Sequence, residues 1–310
     1  MIKMPSRITL CTNTTCGYKC IFCNNKNMKP ILLSFEKIES FIRSFKSEET
    51  EYIDISGYGD VFLHPNFNQI IQLLIDRKLK YSIITTGENL DVEKQKLMRD
   101  SPLKWINFSL NSLDKETKIM LSGGQGNFEQ TIRNYESFVK KPRSYHVIIS
   151  VIVNRYNFLE MPKFIEYAHN TGAEVVRLQE PILELSHIYP EGFGLKYDSK
   201  EKETLNLTYE LAKKYNIDIY GSLRPTEGTS EKIVKQPITS CISPWTEVSI
   251  APEGEVAICC FLSRFVVGNI NTNSFVDIWN NSPQLNRLRN CIKNNDDSIC
   301  KKTCMNYERK

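Results

Sequence analysis

The side chains best suited to chemistry in this 310-residue chain are its ten cysteines. Cys16, Cys20 and Cys23 stand at a CxxxCxxC spacing directly after a predicted strand, so three soft thiolates can wrap one face of a metal centre. A structural zinc usually takes four protein ligands, whereas an iron–sulfur cluster held by three thiolates keeps one iron open. On spacing alone, a zinc knuckle borrowing Cys11 or a distant His stays open as the alternative. The surroundings suit an anionic centre: residues 1–30 hold Lys3, Arg7, Lys19, Lys26 and Lys29 and no Asp or Glu. A second group comprises Cys241 and Cys259, which flank a hairpin-like run with Gly254 at its turn, and Cys300 and Cys304 further on. Zinc and iron–sulfur are equally credible there.

The N-terminal residues lack the run of about 7–15 apolar residues of a secretory signal, so a cytoplasmic location is expected. Thiols are kept reduced there, and cysteine clusters serve as metal sites more often than as disulfides. With 41% hydrophobic and 25% charged residues, the composition is that of a globular protein. Lys and Arg number 40 against 36 Asp and Glu, and this dispersed net +4 implies no nucleic-acid partner. The longest apolar stretches, such as Val147 to Val153, fall far short of the roughly 20 residues of a membrane span.

These cysteines must be positioned by the elements around them. Short β-rich runs at Arg7 to Cys11, Tyr52 to Ser56, Tyr81 to Thr85, Trp105 to Leu110, Tyr145 to Val153 and Glu174 to Leu178 predict six strands. Helical patterns separate them at Phe35 to Phe45, Asn66 to Arg77, Asp91 to Arg99, Asn127 to Lys140 and Leu159 to Thr171. The alternation predicts an α/β fold with a parallel sheet, either doubly wound or a partial barrel. After Pro181 it stops, and Pro and Gly at turn-like positions mark a connecting or lid segment, followed by a helix at Ser199 to Tyr215. The expected domains are 1–190, a connecting segment 191–236, and a small cysteine-anchored domain 237–310.

Taken with its order along the strands, the first cysteine group resembles the signature of the radical SAM enzymes, whose CxxxCxxC loop follows the first strand of a partial (βα)6 TIM barrel. Ser56-Gly57-Tyr58-Gly59-Asp60 after the second strand resembles the family's GGE-type motif, with Tyr58 and Asp60 in place of Gly and Glu. His64-Pro65-Asn66-Phe67 is similar to the segment that trails it. Thr85-Thr86-Gly87 stands where the family has TNG, and Ser109-Leu110-Asn111 where it has SxD; GGQGNFEQTI matches the next helix entry. The resemblance implies a 4Fe–4S cluster on Cys16, Cys20 and Cys23 whose open iron chelates S-adenosylmethionine. It implies contacts to that molecule from Gly57, Tyr58, Gly59, Asp60, Thr86, Ser109 and Asn111, with Arg155 as a candidate for its carboxylate. An electron then breaks the sulfonium C–S bond to leave a 5′-deoxyadenosyl radical, the cofactor carrying the hard chemistry. A flavodoxin or ferredoxin is the implied electron donor. Cys11, within the first strand, reads as a buried core thiol.

The C-terminal part resembles the twitch or SPASM auxiliary-cluster domain of the same family: Cys241-x12-Gly254-x4-Cys259, then Gly268-Asn269-Ile270, then Ser274 through Asp277-Ile278-Trp279-Asn280. The full terminal pattern would fall on Cys291, Asn294, Cys300 and Cys304, with Asn294 where a thiolate belongs. This implies one auxiliary 4Fe–4S cluster on Cys241, Cys259, Cys300 and Cys304, with Cys260 and Cys291 left over. The pattern is most similar to that of the radical SAM dehydrogenases that oxidise an aminocyclitol hydroxyl. The expected function is therefore oxidation of a sugar- or cyclitol-like metabolite, the auxiliary cluster taking the second electron; the short run before the first strand also favours this over a peptide substrate. The alternatives are modification of a peptide or protein side chain and, from another class, a non-enzymatic zinc protein. Arg177, His187, Tyr189 and Glu191 are further polar candidates near the barrel mouth or in the connecting segment.

Overall fold

The structure, a computed structural model, describes residues 3–140, 142–182, 187–223, 239, 241–258, 265–296 and 298–299. It divides into two compact units, the described residues of Met1–Thr15, Pro30–Ser82 and Glu231–Lys310 in the first, and of Cys16–Lys29 and Ile83–Ser230 in the second.

In the first unit, β1 (Arg7–Leu10) pairs in parallel with β2 (Tyr52–Ile55) on one side and β8 (Glu247–Ile250) on the other. The C-terminal segment thus extends the sheet of the first strands. β8 turns at Gly254 into antiparallel β9 (Glu255–Ala257), which pairs with β10 (Val266–Asn269). Helix α1 (Phe35–Ile42) starts where the Ser34 side chain accepts from Lys37 N, and its apolar face buries Ile38, Phe41 and Ile42. The 3-10 turn Val61–Leu63 leads into α2 (Phe67–Asp76), and the first residues of β3 (Tyr81–Thr85) close this unit's share of the main chain. Phe41 meets Phe275 of α9 (Phe275–Asn281) edge-on, with ring centroids 4.9 Å apart.

That contact explains the GNI and DIWN motifs. A Cβ at Gly268 would stand 2.7 Å from Ile278, so only glycine lets β10 lie against α9. Trp279 is fully buried and donates from Nε1 to Lys3 O at 2.9 Å, tying α9 to the start of the chain. The Arg289 guanidinium of α10 (Pro283–Lys293) lies 4.7 Å from its ring.

In the second unit the rest of β3 is followed by α3 (Val92–Arg99), β4 (Leu103–Ser109), α4 (Lys115–Leu121), α5 (Phe128–Val139), β5 (His146–Ile152), α6 (Met161–Thr171), β6 (Val175–Gln179), α7 (Ser199–Tyr215) and β7 (Asp218–Tyr220). Strands β4, β5, β6 and β7 pair in parallel, each crossing over through helices, as parallel neighbours must. Ile106, Phe108, Val147, Ile149 and Val151 are buried, as are Tyr135 and Phe138 of α5 and Phe164 of α6, and the Phe108 ring meets those of Tyr135 and Phe138 with centroids 5.0 and 6.4 Å apart. The expected α/β architecture with a mostly parallel sheet is present, and two elements correct the sequence reading. Alternation does not stop after β6: the helix expected at Ser199–Tyr215 ends in left-handed Asn216, and a seventh parallel strand, β7, follows. Helix α4, capped by Asp114 accepting from Thr117 N, lies between Ser109 and the glycine run, where no element was expected. No helix among the described residues is long and apolar enough to cross a membrane.

Trp279→Ala is expected to cost about 3–5 kcal/mol, read as a lowered urea midpoint of anaerobically prepared protein. Trp279→Phe, which keeps one ring but loses the bond to Lys3 O and part of the buried volume, should cost less.

Candidate active site and cluster-binding loop

Cys16, Cys20 and Cys23 lie in a second-unit loop with no helix or strand of its own, and carry reduced thiols; Cys16 is exposed and the other two are half-buried. The loop is held at its middle. Lys19 N donates to Ser122 O and Ile21 N to Leu121 O, both at 3.0 Å, so Cys20 hangs between two bonds to carbonyls at the end of α4 that a helix leaves without partners. Tyr18 N points at Cys16 Sγ at 3.5 Å and Asn25 N at Cys23 Sγ at 3.3 Å. Two glycines make the space. A Cβ at Gly123 would stand 2.2 Å from Lys19 O, and one at Gly126 would stand 1.8 Å from Tyr18 Cε1; both glycines also have positive φ. The Tyr18 hydroxyl reaches Thr131 of α5 at 2.9 Å, and Phe22 packs on Phe193 with centroids 5.9 Å apart.

The charge balance of the loop turns on Lys118 of α4. Burial pushes the Cys20 thiol up to about 11, and the Lys118 ammonium opposes that rise. Burial in turn lowers Lys118 to about 8, opposed by Cys20 and Cys16. Among the described residues no three His, Cys, Asp or Glu side chains are grouped so as to hold one metal ion. Three thiols with inward N–H groups, few nearby acids and a buried cation fit an anionic cluster.

The GYGD turn belongs to the first unit and is pressed onto the chain leaving β1. A Cβ at Gly57, where φ is 118°, would stand 2.2 Å from Cys11 Sγ, and one at Gly59 would stand 2.4 Å from Thr15 O. Cys11 is the buried core thiol expected, its pKa pushed up to about 12 by burial. Asp60 N donates to Thr15 O at 2.9 Å, and Asn13 Nδ2 to Asp60 O at 3.2 Å. The Asp60 carboxylate accepts from Phe62 N at 3.1 Å and so caps the turn that follows. His64 Nε2 donates to Leu33 O at 3.0 Å while Nδ1 accepts from Asn66 N at 3.1 Å, which sets its neutral tautomer and pins the HPNF segment. Asn13 was not singled out by the sequence reading. Its Oδ1 is buried without a partner beside Gly59, a place suited to an ammonium donor such as the methionine end of S-adenosylmethionine.

The remaining expected contacts lie in the second unit. Thr86 is half-buried beside Gly87, whose carbonyl is held by Asn134 Nδ2 at 2.9 Å. Ser109 O accepts from Lys118. Asn111, in the left-handed region with φ 61°, accepts at Oδ1 from Ile152 N at 2.9 Å, joining the ends of β4 and β5. Arg155 is exposed and stacks on Tyr156 at 4.5 Å; Gly192, where a Cβ would stand 2.9 Å from Arg155 Nη1, gives it room. Arg177 bonds Gln179 and faces the Tyr220 ring, Tyr189 packs on Phe193, and His187 and Glu191 are exposed. Of the auxiliary group, Cys241 is half-buried just before α8 (Ser243–Thr246); Cys259, Cys300 and Cys304, with Cys260, lie outside the described residues. Cys291 is on α10, and Asn294 is that helix's C-cap.

A family model described as the radical SAM superfamily matches residues 10–168, the stretch that carries the loop and the GYGD turn. The chain belongs to the radical SAM superfamily. Residues 241–305 match a second model, the SPASM iron–sulfur cluster-binding domain. These domains carry S-adenosylmethionine and 4Fe–4S clusters as cofactors. AlbA, the antilisterial bacteriocin subtilosin biosynthesis protein of Bacillus subtilis, is 24% identical over 295 residues, covering 92% of this chain and 61% of AlbA. The chain therefore spans about three fifths of that relative's length. The AdoMet-dependent heme synthase of Methanosarcina barkeri is 22% identical over 311 residues, 93% of this chain and 86% of the synthase. The structure of Streptococcus suis SuiB bound to S-adenosylmethionine has the same fold, with a TM-score of 0.71 at 14% identity over 93% of this chain and 68% of SuiB. SuiB has also been solved bound to its precursor peptide SuiA, with a TM-score of 0.70 at 15% identity over 93% of this chain and 67% of SuiB.

Gly126→Ala is expected to displace Tyr18 and lower iron bound per chain after anaerobic reconstitution by half or more. Gly124→Ala, strained by the positive φ of 75° but with nothing within 4 Å of its Cβ, should lose less iron than Gly126→Ala.

Proposed function

We propose that this radical SAM enzyme takes a hydrogen atom from a peptide substrate. When bound, the N-terminal cluster and S-adenosylmethionine supply reductive C–S cleavage and the radical that abstracts hydrogen. In this reading Cys16, Cys20 and Cys23 hold the cluster; Gly57, Tyr58, Gly59 and Asp60 receive the amino end of the cofactor through backbone groups. Thr86, Ser109 and Asn111 face its nucleoside, and Arg155 its carboxylate. The aromatic packing of Phe22, Tyr189 and Phe193 covers one side of the loop. Cys241, Cys259, Cys300 and Cys304 hold one auxiliary cluster, and a flavodoxin or ferredoxin delivers the electron.

The observation that carries the peptide reading is the alignment with a bacteriocin biosynthesis protein across 92% of the chain, through both domains. The fold shared with SuiB, which binds a precursor peptide, is in keeping with it. A specific feature favours a second reading, the dehydrogenation of a sugar- or cyclitol-like metabolite. Asn294, a helix cap and not a thiolate, stands at the position where a second auxiliary cluster would need a ligand.

Anaerobically reconstituted protein with dithionite and S-adenosylmethionine is expected to form 5′-deoxyadenosine. Cys20→Ala should abolish it, whereas Cys300→Ala should leave uncoupled cleavage; equal loss in both would count against two separate clusters. Zinc without acid-labile sulfide in freshly isolated protein would sink the assignment altogether. Short peptides encoded beside the gene, and a panel of sugars and cyclitols, separate the two substrates: a mass change in a peptide is expected. Turnover of a cyclitol with every peptide unchanged would establish the second reading instead.

A further inference from the structure

Lys118 is an ammonium buried to 4% exposure on the inner side of a helix only seven residues long. Burying a cation is costly unless a partner compensates it, and the usual partner is a carboxylate. Here Nζ donates instead to two backbone carbonyls, Ser109 O at 3.1 Å and Leu110 O at 2.6 Å, and lies 5.2 Å from the centroid of the Tyr18 ring. These groups solvate the ammonium without cancelling its charge. The carboxylate that faces it is Glu88, which makes no hydrogen bond to Nζ: Oε1 accepts from Asn127 N at 3.1 Å, and Oε2 is buried without a partner. The end of the same helix holds Lys19 and Ile21 by their backbone N–H groups, one on each side of Cys20. The ammonium is therefore held rigidly beside the cysteine loop, hydrogen-bonded to carbonyls rather than to the nearby carboxylate of Glu88, whose Oε2 would lie 3.6 Å from a Cβ at Gly17.

We infer that Lys118 is the positioning and counter-charge residue of the N-terminal cluster, raising its reduction potential so that a biological donor can reduce it. The inference rests on the reading that Cys16, Cys20 and Cys23 hold a 4Fe–4S cluster. Three thiolates leave such a centre negative, and one added electron makes it more so. A fixed cation nearby favours the reduced form, through an interaction that low dielectric strengthens. The two carbonyls that Nζ grips belong to the segment that ends in Asn111, so the same side chain ties the cluster loop to the strand expected to face the nucleoside.

The test is a dithionite-poised redox titration of full-length reconstituted protein, following by EPR the signal that changes on adding S-adenosylmethionine. Lys118→Met removes the charge at similar length; Lys118→Gln removes it while keeping an N–H donor; Lys118→Arg keeps it. At a fixed potential near the parent midpoint, Met and Gln are expected to lower the reduced-to-oxidised ratio at least tenfold, 59 mV for a one-electron couple. Arg should stay within threefold of the parent. Iron content reported beside each value separates this from loss of cluster. Parent-like midpoints in fully loaded Met or Gln variants overturn the inference while leaving the cluster assignment intact. Loss of iron in both neutral variants and in Arg alike also overturns it, because shape and not charge would then be at issue. A parent protein with no signal responsive to S-adenosylmethionine overturns the cluster assignment, and the inference with it.

Discussion

The loop that carries Cys16, Cys20 and Cys23 has neither helix nor strand, so its backbone groups must find partners elsewhere, and the proposed gathering of three thiolates would need their mutual repulsion offset. Both needs are met from one direction. The end of α4 offers carbonyls to Lys19 N and Ile21 N, and Lys118 on the same helix offers a charge of opposite sign. The run Gly123-Gly124-Gln125-Gly126 follows from this arrangement. A side chain at Gly123 or Gly126 would occupy the space of the Lys19 carbonyl or the Tyr18 ring, so the family's entry to the next helix is also the seat of the cysteine loop.

The first unit obeys the same logic with different parts. Its GYGD turn has no Cβ at the two positions that touch β1 and its exit, which lets Asp60 N reach Thr15 O and lets Asn13 clasp the Asp60 carbonyl. Backbone groups of a turn are useful for ligand binding only when their direction is set. Here direction comes from the Asp60 cap on one side and the His64 bridge to Leu33 on the other. The C-terminal segment adds stiffness at the same sheet, since β8 pairs with β1 along its full length.

The sequence carried the strands and most helices because their cores are apolar at regular spacing and their starts are capped by Ser34, Asp91, Asn127 and Asp198. Helix α4 was hidden for a physical reason: its inward face includes a lysine, and a seven-residue helix with a polar residue toward the core leaves no amphipathic period to read. Its Asp114 cap, three residues before Thr117, was the available signal. Strand β7 was hidden by its length of three residues and by the turn chemistry before it. The motif residues proved harder to interpret than to find. Asn111, expected to contact S-adenosylmethionine, already spends its carboxamide oxygen on Ile152 N, and Asp60 spends an oxygen on Phe62 N. A motif fixes where a residue stands; only the hydrogen-bond partners separate building the turn from touching the ligand.

Arg289 extends the argument to the C-terminal segment. It is 3% exposed, donates to Pro244 O at 3.0 Å and Trp279 O at 2.9 Å, and leaves Nη2 without a partner, while burial lowers its pKa to about 10. Like Lys118, it is solvated by carbonyls and an aromatic ring; whereas Glu88 faces Lys118, no carboxylate contributes to the shift of Arg289. The carbonyl it grips is three residues from Cys241, and its helix carries Cys291. A fold stabilised for its own sake would gain by pairing each buried cation with an acid or replacing it with an apolar side chain. In both places a buried cation is held by carbonyls and a ring beside a cysteine-bearing segment, an arrangement that stability alone does not favour.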